Sequence, residues 1–177
     1  MNTQNLQQIA QQVHAQAKAM GWWDGDVYVC IYTKLQMIST EIAEATEGER
    51  QNLMDNHLPH RKMGEVELAD ALMRTLDLGE HLELKYEYPD AFEMADHLAI
   101  THKHLNINHE IIKLYMHLPH ISEVTHLYYS GLVDAIITTA NQQGYHIFAA
   151  LQEKLEYNKT RADHQPQNRA KANGKKF

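Results

Sequence analysis

The sequence predicts an all-α fold, a single bundle of amphipathic helices, and three observations predict it. Helix-breaking residues are scarce, with 4 prolines and 8 glycines in 177 residues. Ala, Leu, Glu, Gln, Met and Lys, all good helix formers, dominate the chain. Apolar residues recur at spacings of three and four, and no stretch of useful length alternates with the period of a strand.

The elements follow in order. Residues 3–20 read as a first helix, with Leu6, Ile9, Val13, Ala17 and Met20 on one stripe. Gly21 ends it, and "GWWDGD" is a turn. Residues 27–48 read as a second helix whose stripe is Ile31, Leu35, Ile38, Ile42 and Ala45, stopped by Gly48. Its start, "DGDVYVCIYTK", is the one β-flavoured patch. Residues 51–64, "QNLMDNHLPHRKMG", are a connector. A third helix spans 65–84, with Leu68, Ala71, Leu72, Thr75 and Leu82 along its stripe. Residues 90–118 lie between Pro89 and Pro119 and read as helix, followed by helices over 121–142 and 145–161. The end, "ADHQPQNRAKANGKKF" (162–177), is polar and basic, a tail expected to be mobile unless docked.

Composition excludes several functions. With 16 Lys and Arg against 23 Asp and Glu, the net charge is −7. No basic face is expected for nucleic acid or an anionic membrane. Cys30 is the one cysteine, so no intramolecular disulfide forms, and a buried structural thiol in a cytoplasmic protein is the natural reading. No run of about 18 apolar residues predicts a transmembrane helix. The Gln-rich start lacks the layout of a signal peptide.

Acids then draw the eye. Glu41 and Glu44 lie about 60° apart on the second helix, at the edge of its apolar stripe. Glu67 and Asp70 repeat that relation on the third, with Asp77 two turns on. Lys34 shares a face with Glu41. Either these are ordinary surface acids, Asp70 pairing with Arg74 and Glu47 with Arg50, or the helices pack side by side and four carboxylates meet. Four carboxylates at one seam repel. A hard divalent cation relieves that, and oxygen-only ligands favour Mg²⁺ or Mn²⁺ over zinc.

"KLQMISTEIAEATEGER" followed by "GEVELADALMRTLDLGEHL" resembles the MazG-like all-α nucleoside triphosphate pyrophosphohydrolases, which carry E-x-x-E on one helix and E-x-x-D on the next. "GWWDGD" and the C-terminal "KLEYNKTR" with its trailing "GKK" are similar to the flanking segments of small members. The resemblance implies Mg²⁺-dependent cleavage of a nucleoside triphosphate to monophosphate and pyrophosphate, in nucleotide-pool housecleaning. It also implies a homodimer or homotetramer. Carried over by position, Glu41, Glu44, Glu67 and Asp70 are metal ligands, and Lys34, Lys154, Asn158, Lys159 and Arg161 are substrate contacts. A spare carboxylate such as Glu47 would help deprotonate the attacking water. The alternative is a non-catalytic helical protein, an adaptor or nucleotide sensor that keeps the fold.

Two departures from the family stand out. Residues 85–144 form an insertion-like stretch that the small members lack or shorten, and the extended tail leaves the roles of Lys171, Lys175 and Lys176 open. The insertion is His-rich, with His97, His102, His104, His109, His117, His120 and His126. Only Glu123 and His126 have a di-iron type spacing, so a structural or surface role is expected. Trp22 either stacks on a nucleobase or, with Trp23, anchors the turn in the core. Arg74 is expected to orient Asp70.

Overall fold

The computed structural model describes residues 3–24, 27–86 and 103–175. It is all-helical, with seven helices among those residues: α1 (Thr3–Ala19), α2 (Val27–Gln51), α3 (Met63–His81), α4 (Lys103–His117), α5 (Glu123–Gln142), α6 (Ile147–Thr160) and the short α7 (Pro166–Arg169). A 3-10 turn, Ala162–His164, joins the last two.

The third helix is central. α1, α2, α5 and α6 all pack against α3, while α4 rests on α5 and α2. The sequence marks one apolar stripe on α3, yet the helix is buried nearly all round, Val66, Ala69, Leu76 and Leu78 included. Leu68, Leu72, Leu76 and Leu78 are fully excluded from water, each contributing roughly 1.5–3 kcal/mol of burial. A helix surrounded on every side carries its acids inward too, so Glu65, Glu67 and Asp77 are buried. The packing is close enough to need glycine. A Cβ on Gly79 would overlap the ring of Tyr129 on α5.

Gly48 does not stop α2, contrary to the sequence reading. The helix runs on to Gln51, and Asn52 leaves it at φ 54°. Gly48 serves close approach instead, since a Cβ there would sit 2.8 Å from Cβ of Met63. The connector is built rather than loose. Asp55 Oδ1 accepts the N–H groups of His57 (2.8 Å) and Leu58 (2.6 Å), an Asx-type turn. Arg61 pairs with Glu65 (2.9 Å) on α3 and Glu153 (2.8 Å) on α6. This fixes the connector against both helices.

The later helices begin and end within a few residues of expectation. Residues 90–102 of the expected helix over 90–118 lie outside the described residues, as do His97, His102, Lys176 and the side chain of Cys30. Ser122 opens α5, its N–H donating to Thr125 Oγ1 at 3.0 Å. The tail is docked through residue 175, with Arg169 bonded to the carbonyl of Met20 at 2.6 Å. Among the described residues, no helix is long and apolar enough to cross a membrane.

Candidate functional site

α2 and α3 pack side by side, so the acid at the core edge of α2 faces the acids of α3. One oxygen each from Glu41, Glu67 and Asp70 lies within 4.8 Å of the others. Glu41 and Glu67 are buried and Asp70 is half-buried. The three sit in the wall of a cavity of about 330 Å³ formed by α1, α2, α3, α6, the connector and the tail. That volume lies at the lower end of small-molecule sites.

The wall is charged and balanced. Glu41, Glu44, Glu67, Asp70 and Asp77 face it, and so do Lys34, Arg74, Lys154, Arg161 and Lys175. Arg74 Nε donates to Glu41 Oε1 at 2.6 Å. Lys154, 2% exposed, places Nζ 2.7 Å from Asp70 Oδ2. Burial alone would lower the Lys154 ammonium, but Asp70 and Glu67 hold it above the usual lysine value. Glu67 makes no hydrogen bond or ion pair with a described residue. Burial first, and then the charge of Asp70, pushes its carboxyl up to about 9. Burial also raises Glu41, against the opposing pull of Arg74. The three carboxylates could hold a metal ion.

Of the residues picked from sequence, Glu41, Glu44, Glu67, Asp70, Lys34, Trp22, Lys154, Asn158 and Arg161 all line this cavity. Glu44 lies on its exposed side, outside the three-oxygen cluster. Glu47 and Lys159 do not line it. Glu47 lies about 120° around α2 from Glu41, where it accepts from Arg50 at 2.8 Å. Lys159 pairs with Glu156 on the outer face of α6. Arg74, expected to orient Asp70, pairs instead with Glu41, while Lys154 of α6 pairs with Asp70.

Sequence reasoning missed His57 and His164, both in the cavity wall. Asp77 appeared there only as an extension of the acidic edge. In the structure Asp77 Oδ1 takes Nδ1 of His14 at 2.7 Å and the indole N–H of Trp23 at 2.8 Å, and Lys34 lies 4.0 Å from its other oxygen. Its spacing of seven from Asp70 was the available signal. His57 sits against Tyr157 at 5.0 Å between ring centres. His164 comes from the tail, where no periodicity pointed to it. Burial, with Arg161 and Lys175 close by, lowers it to about 4, so it is neutral at neutral pH.

Two histidines of the His-rich insertion join elements of the fold. His104 Nδ1 lies 2.6 Å from Thr46 Oγ1, joining α4 to α2, and His126 accepts the N–H of Lys85 at 3.0 Å. No family model, curated protein or solved structure matches the chain.

Proposed function

We propose that the chain is a Mg²⁺-dependent nucleoside triphosphate pyrophosphohydrolase of the MazG-like type, releasing pyrophosphate and a nucleoside monophosphate. One observation carries this reading: three clustered carboxylate oxygens share a cavity with five cationic side chains. Phosphoryl transfer needs positioning and charge neutralisation more than a special nucleophile, and this wall offers both. The resemblance of the E-x-x-E and E-x-x-D segments supports it from the sequence side.

Glu41, Glu67 and Asp70 would hold the ion, with Glu44 at the open side. A divalent cation bound there supplies charge neutralisation and a more acidic water. Lys154, Arg74 and Arg161, which line the cavity, would meet the phosphate oxygens. Water oxygen bonds to the α-phosphorus, the bond from that phosphorus to the α–β bridging oxygen breaks, and pyrophosphate leaves. Glu44 lines the cavity outside the cluster, and it takes the water's proton in place of Glu47.

The same reading carries a homo-oligomer. Leu105, Ile112 and Met116 form an exposed apolar stripe on α4, the kind of surface a second copy would cover.

Pyrophosphate release across a panel of ribo-, deoxyribo- and modified nucleoside triphosphates, with Mg²⁺ or Mn²⁺, tests the reading. Release by the wild type that is abolished in Glu41→Ala and Glu67→Gln is expected. No release from any member, or full turnover in both variants, overturns it. Light scattering checks the assembly, and a monomer in solution refutes that part.

A further inference from the structure

The C-terminal tail carries more than its charge suggested. Arg169 lays its guanidinium over the ring of Trp22, 3.5 Å from the ring centre. Its NH1 donates to the carbonyl of Met20 at 2.6 Å, and its Nε donates to the carbonyl of Lys175 at 3.2 Å. One side chain thereby ties the turn after α1 to the far end of the tail. A planar group with forked donors does this, which a lysine does not match.

His164 sits under that tie. Its ring meets Trp22 edge-on, at 5.2 Å and 87°. It is 8% exposed, yet neither ring nitrogen has a hydrogen-bond partner among the described residues, where the nearest acid, Asp163, is 3.9 Å away. Asn158 Oδ1, of another residue lining the same cavity, is also buried without a partner among the described residues. Buried polar atoms are rarely left unpaired in a native fold. Two such side chains facing one cavity point to partners that arrive with a ligand. Their chemistry limits what part of the ligand that is. A neutral imidazole offers one donor and one acceptor, and an amide oxygen is an acceptor that repels phosphate oxygens. Hydroxyl and amine groups of a nucleoside fit both.

We propose that residues 162–175 form a strap that roofs the cavity, with Arg169 as the positioning residue that pins it to Trp22 and Met20. His164, with Asn158, then meets the nucleoside half of the ligand rather than the phosphates. This inference rests on the nucleotide reading above. It also reassigns Trp22 from a base-stacking platform to the anchor of the strap.

The test compares wild type, His164→Phe, Arg169→Ala and Arg169→Lys. His164→Phe keeps a ring against Trp22 and removes both nitrogens. The readouts are KM and kcat for pyrophosphate release, the Kd of inorganic tripolyphosphate with Mg²⁺, and amide exchange over 162–175. His164→Phe is expected to raise KM about tenfold, as for loss of one hydrogen bond, while tripolyphosphate affinity changes less than twofold. Arg169→Ala is expected to raise KM similarly and to speed exchange across the strap, with Arg169→Lys intermediate. Equal loss of tripolyphosphate and nucleotide affinity overturns the nucleoside assignment. Unchanged exchange in Arg169→Ala overturns the strap. A wild type that releases no pyrophosphate fails the hydrolase reading alone. The inference then stands or falls on whether His164→Phe weakens Mg²⁺–nucleoside triphosphate binding selectively over tripolyphosphate, measured by calorimetry.

Discussion

Replacing Lys154 with methionine keeps most of the side-chain volume and removes the one ammonium inside the carboxylate cluster. Asp70 loses an ion pair at 2.7 Å, and Glu67 loses the nearest charge that opposes its burial. Removing one partner of a buried pair costs about 3–5 kcal/mol. Asp70 keeps 16% of its side chain exposed, so the low end, about 3 kcal/mol, is expected. For a chain of this size that is a fall in Tm of about 6–12 °C. The loss depends on unneutralised carboxylates. It therefore shrinks with Mg²⁺, which takes over in the variant the charge that Lys154 supplies in the wild type. Thermal unfolding of wild type and variant at pH 8, with and without Mg²⁺, measures the difference. A deficit of the same size with and without Mg²⁺ would mean that Lys154 contributes packing alone, and it would refute the electrostatic account of the site.

Three further outcomes are expected. Glu67 binds its proton up to about 9 in the fold and only to its ordinary value when unfolded; the folded state therefore holds more protons in between, and without metal, stability falls as pH rises across that window. Mg²⁺ binding near pH 7.5 then releases protons, seen as a calorimetric heat that depends on the buffer's ionisation enthalpy, and a buffer-independent heat refutes it. Glu47→Ala should leave turnover within about twofold, since Glu47 pairs with Arg50 outside the cavity and exposed pairs contribute little; a larger loss in the pyrophosphate assay would restore Glu47 to the site. Gly79→Ala should destabilise by about 1–3 kcal/mol through overpacking against Tyr129, read as a lowered urea midpoint at constant slope, and an unchanged midpoint would show that α3 and α5 can separate freely.

Most of the helices were legible because helical periodicity is local. Leu35, Ile38, Ile42 and Ala45 form the expected stripe on α2, and all four are buried. Where the reading slipped, a residue was serving a distant partner. Gly48 looks like a terminator in sequence, yet in the fold it makes room for Met63. The tail looks like a solvated basic end, yet Arg169 meets Trp22, a residue at the other end of the chain.

The sequence by itself determined the helical class, the apolar stripes and the two acid pairs at their edges, because each depends on spacing along one helix. Only the tertiary structure decided which charges meet. Arg74 went to Glu41 on α2 and Lys154, from α6, to Asp70, and no spacing along α3 encodes either pairing. Burial was likewise a property of the assembly. Glu67 is an ordinary glutamate in its own helix, and its carboxyl is raised chiefly because the helices packed on α3 exclude water from it, with the charge of Asp70 adding to that.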